Sequence, residues 1–282
     1  MMRPLAHALA HQIDAASLAA LPRTAGVYIF KGQGQLPLYI GKSVDIRSRV
    51  MSHLRAPDEA AMVAQTRRID FIETAGEIGA LLLESRMIKE QMPLFNQRLR
   101  RIKTLCSLGL THTEDGLIPE VVDSRQVNFG VTRGLYGLFS SAHAAGVKLR
   151  ELAQQHRLCL SLLGLERASQ RGCFGWQIKT CLGACVGKEN RAAHDQRLLS
   201  ALLDSQVEVW PFQGAIEVVE RSADWVQRHR VNNWGYWGTA CSKAHSSDAW
   251  GSIQTQGFDL DSYKILVKPI MLKTVEIQIV DV

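Results

Sequence analysis

Within its first hundred residues the sequence carries two phenols (Tyr28 and Tyr39), two cations (Lys42 and Arg49), an imidazole (His53), a carboxylate (Glu84) and an amide (Asn96). Arg49 and His53 stand at i and i+4 of one predicted helix, so both project from one face toward a common point. Glu84 is the unusual member. On a 3.6-residue period it shares a stripe with Ala80, Leu81, Met87 and Ile88. A carboxylate on an apolar face has to be neutral, paired with a cation or bound to a metal. Taken singly, each feature has an ordinary explanation: a buried ion pair to an arginine for Glu84, a solvated surface for the Arg49 and His53 pair. Together they form the inventory that phosphodiester hydrolysis needs: a divalent ion, a positioned water, and positive groups for the charge that grows on phosphate.

The elements that must position these groups follow from local pattern. "GVYIF" and "PLYIG" read as two strands of a hairpin, because β-branched and aromatic residues dominate both and glycines supply the connection. Alternation puts Tyr28 and Phe30 on one face of the sheet, Val27 and Ile29 on the other. "SVDIRSRVMSHLRA" is a predicted helix with Ser43 as its N-cap and Pro57 beyond its end. "RIDFIET" reads as a third strand. "GEIGALLLESRMIKEQM" reads as a second helix that stops near Pro93. The order predicts a small α/β domain, a three-stranded antiparallel sheet flanked by helices, closing near residue 105. Residues 1–21 are expected to form an appended amphipathic helix.

"GVY" at 26–28 and "YIG" at 39–41, with Arg49, Glu84 and Asn96 following in order, resemble the GIY-YIG nuclease domain. "YIGKSVDIRSRVMSHL" and "ALLLESRMIKEQMPLFNQRL" resemble its UvrC branch in particular. The resemblance implies a single Mg²⁺ or Mn²⁺ at Glu84, Arg49 stabilising the pentavalent phosphate, Lys42 near the attacking water, Asn96 supporting the site, and one of the two tyrosines relaying the water's proton. His53 stands where UvrC proteins commonly place a tyrosine; a histidine there could bond a catalytic tyrosine or take its proton. Four cations of "RLRRIK" (Arg98, Arg100, Arg101 and Lys103) could follow a DNA backbone away from the site or belong to a solvated linker.

Four of the six cysteines, Cys159, Cys173, Cys181 and Cys185, fall in a C-x13-C-x7-C-x3-C pattern. Four thiolates can close a zinc site or hold a 4Fe-4S cluster, and the missing C-x2-C pairs lean against zinc. The stretch, with its "CLGAC" end, resembles the cysteine region of UvrC, which implies the iron-sulfur cluster. Cys106 and Cys241 are expected to be buried. Residues 106–195 are thus predicted to be a cysteine-rich region, entered through a helix in "SSAHAAGVKLRELAQQHRL". Residues 196–282 are predicted to be β-rich, with a hairpin around Gly214 in "VEVWPFQGAIEVVER" and strands in "SYKILVKPIML" and "VEIQIVDV". Five of the six tryptophans lie between 207 and 250, placed either to pack this part or to stack on unpaired bases.

Charge agrees with a polyanion partner. Residues 1–105 hold 15 Lys/Arg and 9 Asp/Glu, whereas the remainder holds 18 of each, so the whole net charge of +6 sits in the first part. Such a balance favours nucleic acid, although a solubilising surface would look the same. No apolar run approaches the roughly 18 residues of a membrane span. Full-length UvrC proteins continue into an RNase H-like domain and helix-hairpin-helix motifs, and a 282-residue sequence is expected to be a short member of the branch without them. The resemblance implies an excision-repair endonuclease acting on lesion-bearing double-stranded DNA loaded with UvrB by UvrA. A restriction-type or mobile-element GIY-YIG endonuclease, cutting undamaged DNA, is the alternative, and a non-cleaving DNA-binding module a more distant one.

Overall fold

The computed structural model describes residues 12–34, 36–96, 105–167, 169–243 and 257–280. The chain divides into two compact units, residues 1–101 with 212–282, and residues 102–211.

The first unit opens with α1 (Ala15–Ala19), capped by the Asp14 carboxylate. It continues through β1 (Gly26–Lys31), β2 (Pro37–Ser43), α2 (Ile46–His53), α3 (Ala60–Gln65), β3 (Arg68–Glu73) and α4 (Glu77–Gln91). The sheet order is β2-β1-β3, antiparallel throughout, with Tyr28 opposite Gly41 on one side and Phe71 on the other. As the central strand, β1 is buried from Gly26 to Phe30. Tyr28 and Phe30 pack with Ile46, Val50 and Leu54; Val27 and Ile29 pack with Ile40, Met87 and Ile88. One core therefore faces α2 and the other faces α4, as the alternation requires. Gly26 has no room for a side chain, since a Cβ there would lie 2.2 Å from the Ile72 carbonyl oxygen.

Two local expectations need correction. Ser43 ends β2 and turns its hydroxyl onto Asp45, and the Asp45 carboxylate is the N-cap of α2, accepting from the Ser48 N–H at 2.8 Å. Carboxylates and hydroxyls compete evenly for this position. The segment after Pro57 also forms α3, whose Met62 and Val63 are buried, so Pro57 starts a helical turn as well as lying beyond α2. Of the predicted N-terminal helix, Ala15–Ala19 is helical; residues 1–11 lie outside the described residues.

In the second unit β4 (Cys106–Thr113), β5 (Gly116–Asp123) and β6 (Leu135–Phe139) form an antiparallel sheet in the order β5-β4-β6. Helices α5 (Ala142–Gln155), α6 (Phe174–Gln177) and α7 (Arg191–Leu202) follow. Leu108, Leu117, Leu149, Leu152, Leu158, Leu198 and Leu202 share its core.

The rest of the first unit comprises β7 (Ile216–Arg221), β8 (Val226–Asn232), β9 (Gly235–Cys241), α8 (Leu260–Met271) and β10 (Glu276–Ile279), with sheet order β10-β7-β8-β9. The hairpin turn lies at Ser222–Trp225 rather than at Gly214, with the Ser222 N–H donating to the Trp225 carbonyl. The stretch expected to be a strand at 262–272 belongs to α8. Asp259 caps it, and Tyr263, Leu266 and Ile270 are buried at helical spacing, which outweighs the β-branched composition. Trp225 and Trp234 are buried, as packing demands, and Trp250 lies outside the described residues. No helix among the described residues is long and apolar enough to cross a membrane.

Candidate active site

Strands β1 and β2 place the two phenols side by side, with ring centroids 6.3 Å apart. Tyr28 is 1% exposed. Its hydroxyl lies 2.7 Å from His53 Nε2 and accepts a hydrogen bond from Arg49, so α2 presents both of its predicted site residues to one oxygen. Gly41 makes this possible, because a Cβ there would stand 2.3 Å from Tyr28 Oη and 2.8 Å from Tyr39 Cε1. The phenol crosses the bare backbone of the neighbouring strand. Gly41→Ala should therefore displace it, lowering the nicking rate about a hundredfold, the usual result of an ångström-scale misplacement. It should also cost about 1–3 kcal/mol of stability through overpacking. Nicking kinetics beside thermal unfolding check both, and a wild-type rate would show that the Tyr28 position is immaterial.

Glu84 projects from α4 toward the same place. Burial raises its pKa, opposed by the Lys42 backbone N–H and the Lys42 charge. Its charge is felt by both Tyr28 and Tyr39. The cations near it along the chain are engaged elsewhere: the Lys42 ammonium with Glu77 at 2.5 Å, Arg86 with Glu90, and Lys89 with Asp259 and Asp261. Among the described residues no side-chain cation forms an ion pair with Glu84, so the ordinary explanation for a buried carboxylate fails for it. A half-buried carboxylate with no ion-pair partner among the described residues, its charge reaching two phenols, fits a hard divalent ion. Asn96 lies in the loop after α4 and clamps β2, accepting from the Ile40 N–H at 2.9 Å and donating to the Ile40 carbonyl at 2.8 Å.

Sequence reasoning missed Glu59, whose carboxylate accepts a hydrogen bond from His53 Nδ1. A carboxylate only accepts, so Nδ1 carries the proton and Nε2 is left to accept from the Tyr28 hydroxyl. Burial lowers the His53 pKa and Glu59 opposes that shift. Burial first, then the charge of Tyr39, push the Tyr28 pKa up, while Arg49 pulls it down. Nothing in the pattern "APDEAAM" ties Glu59 to His53; the only hint is that a buried imidazole needs a second partner. Arg98, Arg100, Arg101 and Lys103 lie outside the described residues.

In the second unit the sulfurs of Cys159, Cys173 and Cys185 lie within 4.8 Å of one another. Cys181 packs in the same buried cluster with Trp176 and Leu162. Backbone N–H groups point at the sulfurs: Trp176 to Cys173 at 3.3 Å, Gly183 to Cys181 at 3.2 Å and Cys173 to Cys185 at 3.3 Å. Burial raises the Cys159 pKa, yet bonds from the Ser161 hydroxyl, the Leu162 backbone and neighbouring thiols bring it down to about 7. Burial pushes those of Cys173 and Cys185 up to about 11. Four converging soft sulfurs with amide donors suit a 4Fe-4S cluster or zinc. His194, also missed, accepts from the Cys159 N–H at 3.1 Å and fixes the backbone at that cysteine. Cys106 is buried at the start of β4, but Cys241 is only half-buried at the end of β9, contrary to expectation.

A three-stranded antiparallel sheet that brings two phenols and an arginine before a helix-borne carboxylate is the arrangement of a GIY-YIG nuclease domain. Three family models match the chain: a UvrC-like GIY-YIG domain over residues 24–97, the UvrC/Cho excinuclease middle domain over 105–204, and the excinuclease Cho C-terminal domain over 215–282. Excinuclease cho of Salmonella typhi is 50% identical over 263 residues, covering 92% of this chain and 87% of that protein. UvrABC system protein C of Geobacter metallireducens is 33% identical over 179 residues, covering 62% of this chain and 29% of that protein. The GIY-YIG N-terminal endonuclease domain of UvrC from Thermotoga maritima, solved with magnesium as its catalytic divalent cation, is 30% identical and covers 29% of this chain and 92% of that one, with a TM-score of 0.27. The chain belongs to the excinuclease Cho family and is a DNA endonuclease of the excision-repair type.

Proposed function

We propose that this chain hydrolyses one phosphodiester bond on the 3′ side of a DNA lesion, in a metal-dependent reaction, within a UvrB-DNA complex prepared by UvrA in the bacterial cytoplasm. The observation that carries this reading is the half-buried Glu84 carboxylate, which has no ion-pair partner among the described residues and whose charge reaches Tyr28 and Tyr39, the two phenols that the Arg49 charge also reaches. Glu84 would hold Mg²⁺ or Mn²⁺, which supplies Lewis-acid stabilisation of phosphate and of the leaving oxygen. Arg49 neutralises charge on the phosphate. Tyr28 takes the proton of the attacking water as its own passes to His53 Nε2, and Glu59 steadies the imidazolium that results. Tyr39 borders the nucleophile, the Lys42 charge supports ionisation of Glu84, and Asn96 keeps β2 in place. Arg98, Arg100, Arg101 and Lys103 contact backbone phosphates. Cys159, Cys173, Cys181 and Cys185 hold a 4Fe-4S cluster, with zinc as the alternative occupant.

The relay makes a pH prediction. Glu59 raises the His53 pKa against burial, so Glu59→Gln lowers it further. The acid limb of the rate profile that belongs to His53 should move to lower pH, while the plateau drops about tenfold because the imidazole is a weaker base. A profile unchanged in both respects removes Glu59 from the mechanism. The direct test of the function is a nicking assay on lesion-containing duplex with and without UvrA and UvrB. A single 3′ nick that requires both proteins is expected, and partner-independent cutting of undamaged DNA at fixed sequences would establish the restriction-type alternative instead.

A further inference from the structure

The helix that carries Glu84 has no N-terminal cap of its own. Its N-cap residue is Gly76, and no side chain within residues 75–91 accepts from its first N–H groups. Those groups would be costly to leave unpaired in a partly buried place. The acceptor comes from far along the chain. Glu220, the penultimate residue of β7, takes the Ile78 N–H on Oε1 at 2.9 Å and the Gly79 N–H on Oε2 at 2.7 Å. Gln227, opposite it on β8, accepts from the Ala75 N–H at 2.9 Å.

The bidentate carboxylate is itself held from behind. His229, fully buried, contacts Glu220 Oε2 through Nε2 at 3.1 Å and the Thr239 hydroxyl through Nδ1 at 2.7 Å. The Tyr236 hydroxyl closes the row on Thr239 at 2.6 Å. Burial alone would raise the Glu220 pKa; His229 and the two helix amides reverse the sign and hold it below the ordinary value. The carboxylate is therefore charged where the helix dipole favours a negative group. The glycines of "GEIG" fit this arrangement. A Cβ at Gly76 would stand 2.2 Å from Glu220 Oε1, and one at Gly79 would stand 2.8 Å from His229 Cε1.

The other end of α4 is tied to the same C-terminal part. Lys89 Nζ lies 2.7 Å from both Asp259 and Asp261 at the start of α8. Glu84 sits midway between the two ties. We infer that the C-terminal part of this chain is a brace for the metal-carrying helix, and that Glu220 is a positioning residue which, with Gln227 and His229, fixes where α4 begins and thereby where the Glu84 carboxylate stands. Gly79 lies one turn and a half ahead of Glu84 on a continuous helix, so a slip or rotation at the start of α4 is delivered to the carboxylate. This inference rests on Glu84 being the metal ligand.

The test titrates the full-length protein with Mn²⁺ alone, followed by electron paramagnetic resonance, and measures amide hydrogen exchange at Ile78 and Gly79. Glu220→Ala should weaken Mn²⁺ binding about tenfold, in keeping with the loss of a strong cap. It should speed exchange at both amides by at least about tenfold and lower kcat for nicking with KM for DNA unchanged. Glu220→Gln keeps one acceptor oxygen but sets an NH2 donor against the second amide, so it should fall between Glu220→Ala and wild type, weakening Mn²⁺ binding about threefold and speeding exchange at one of the two amides. Arg221→Ala, next to Glu220 on β7, breaks an exposed pair with Glu276 of β10 and should change none of the readouts. A folded Glu220→Ala protein with wild-type Mn²⁺ affinity overturns the brace. If that variant does not fold, Glu220→Gln decides, and wild-type affinity together with wild-type exchange overturns it. A Glu84→Gln protein measured in parallel separates the two readings. Should it bind Mn²⁺ as wild type does, the metal assignment fails and the positioning role falls with it; should it lose Mn²⁺ while the Glu220 variants keep it, the brace alone is wrong.

Discussion

Glu84→Gln should lower the nicking rate at least about a thousandfold, some 4 kcal/mol of barrier, while DNA association without divalent ions stays within about twofold. Glutamine keeps the shape and the packing beside Met87 and Ile88 but removes the charge on which a hard cation depends. The two effects should separate because Glu84 is only one of the groups that could meet DNA, whereas the other two carboxylates of α4, Glu77 and Glu90, are already paired with Lys42 and Arg86. Burial raises the Glu84 pKa, so at a given acidic pH a smaller fraction is ionised than for an ordinary glutamate. Mn²⁺ affinity of the wild type should consequently climb with pH through the raised value and then level off, and in Glu84→Gln that climb should vanish. Parallel loss of nicking and of metal-free DNA association would mean that the residue supports the fold or the DNA surface rather than an ion.

Cys173→Ser should abolish the visible absorption of anaerobically purified protein and leave less than about a tenth of the wild-type iron and sulfide, since four thiolates are needed to hold the four irons. Cys173 is tied into the cluster through both its sulfur and its backbone N–H. It is 1% exposed, its sulfur accepts from the Trp176 N–H, and its own N–H donates to the Cys185 sulfur. Because a structural metal can contribute on the order of 10 kcal/mol to the folding of a small domain, residues 102–211 should also become the preferred site of limited proteolysis. Iron content equal to wild type would exclude Cys173 as a ligand. One zinc per wild-type chain, lost in the variant, would assign the site to the alternative metal.

The nuclease part was legible because its signals are local. Alternation in "GVYIF" gave both faces of β1, the stripe through Ala80 and Ile88 gave α4, and the unusual placing of Glu84 on that stripe pointed to chemistry. Other local signals were present but not used. Asp115-Gly116 between "CSLGLTHT" and "LIPEVVD" is a strong hairpin turn, and β4 and β5 do close there with Thr113 opposite Gly116. In α8, Ile265, Val267 and Ile270 suggested a strand, whereas the Asp259 cap and the spacing of Tyr263, Leu266 and Ile270 describe a helix, with Pro269 tolerated in its last turn. What was not legible depends on contacts that follow neither the helix nor the strand period. Glu59 meets His53 by way of a turn that no periodicity announces, and Glu220 reaches Ile78 and Gly79 from some 140 residues away. Such pairings exist only once sheet and helix have been brought together.

The absence of side chains at Gly76 and Gly79 leaves a footprint that evolution should preserve. Bulk added at either position must displace or shrink a residue at 220, 227 or 229, because less than 3 Å separates a new methyl carbon from Glu220 or His229. Across relatives these five positions should therefore change as a set or not at all, even though some 140 residues of sequence separate the first two from the last three.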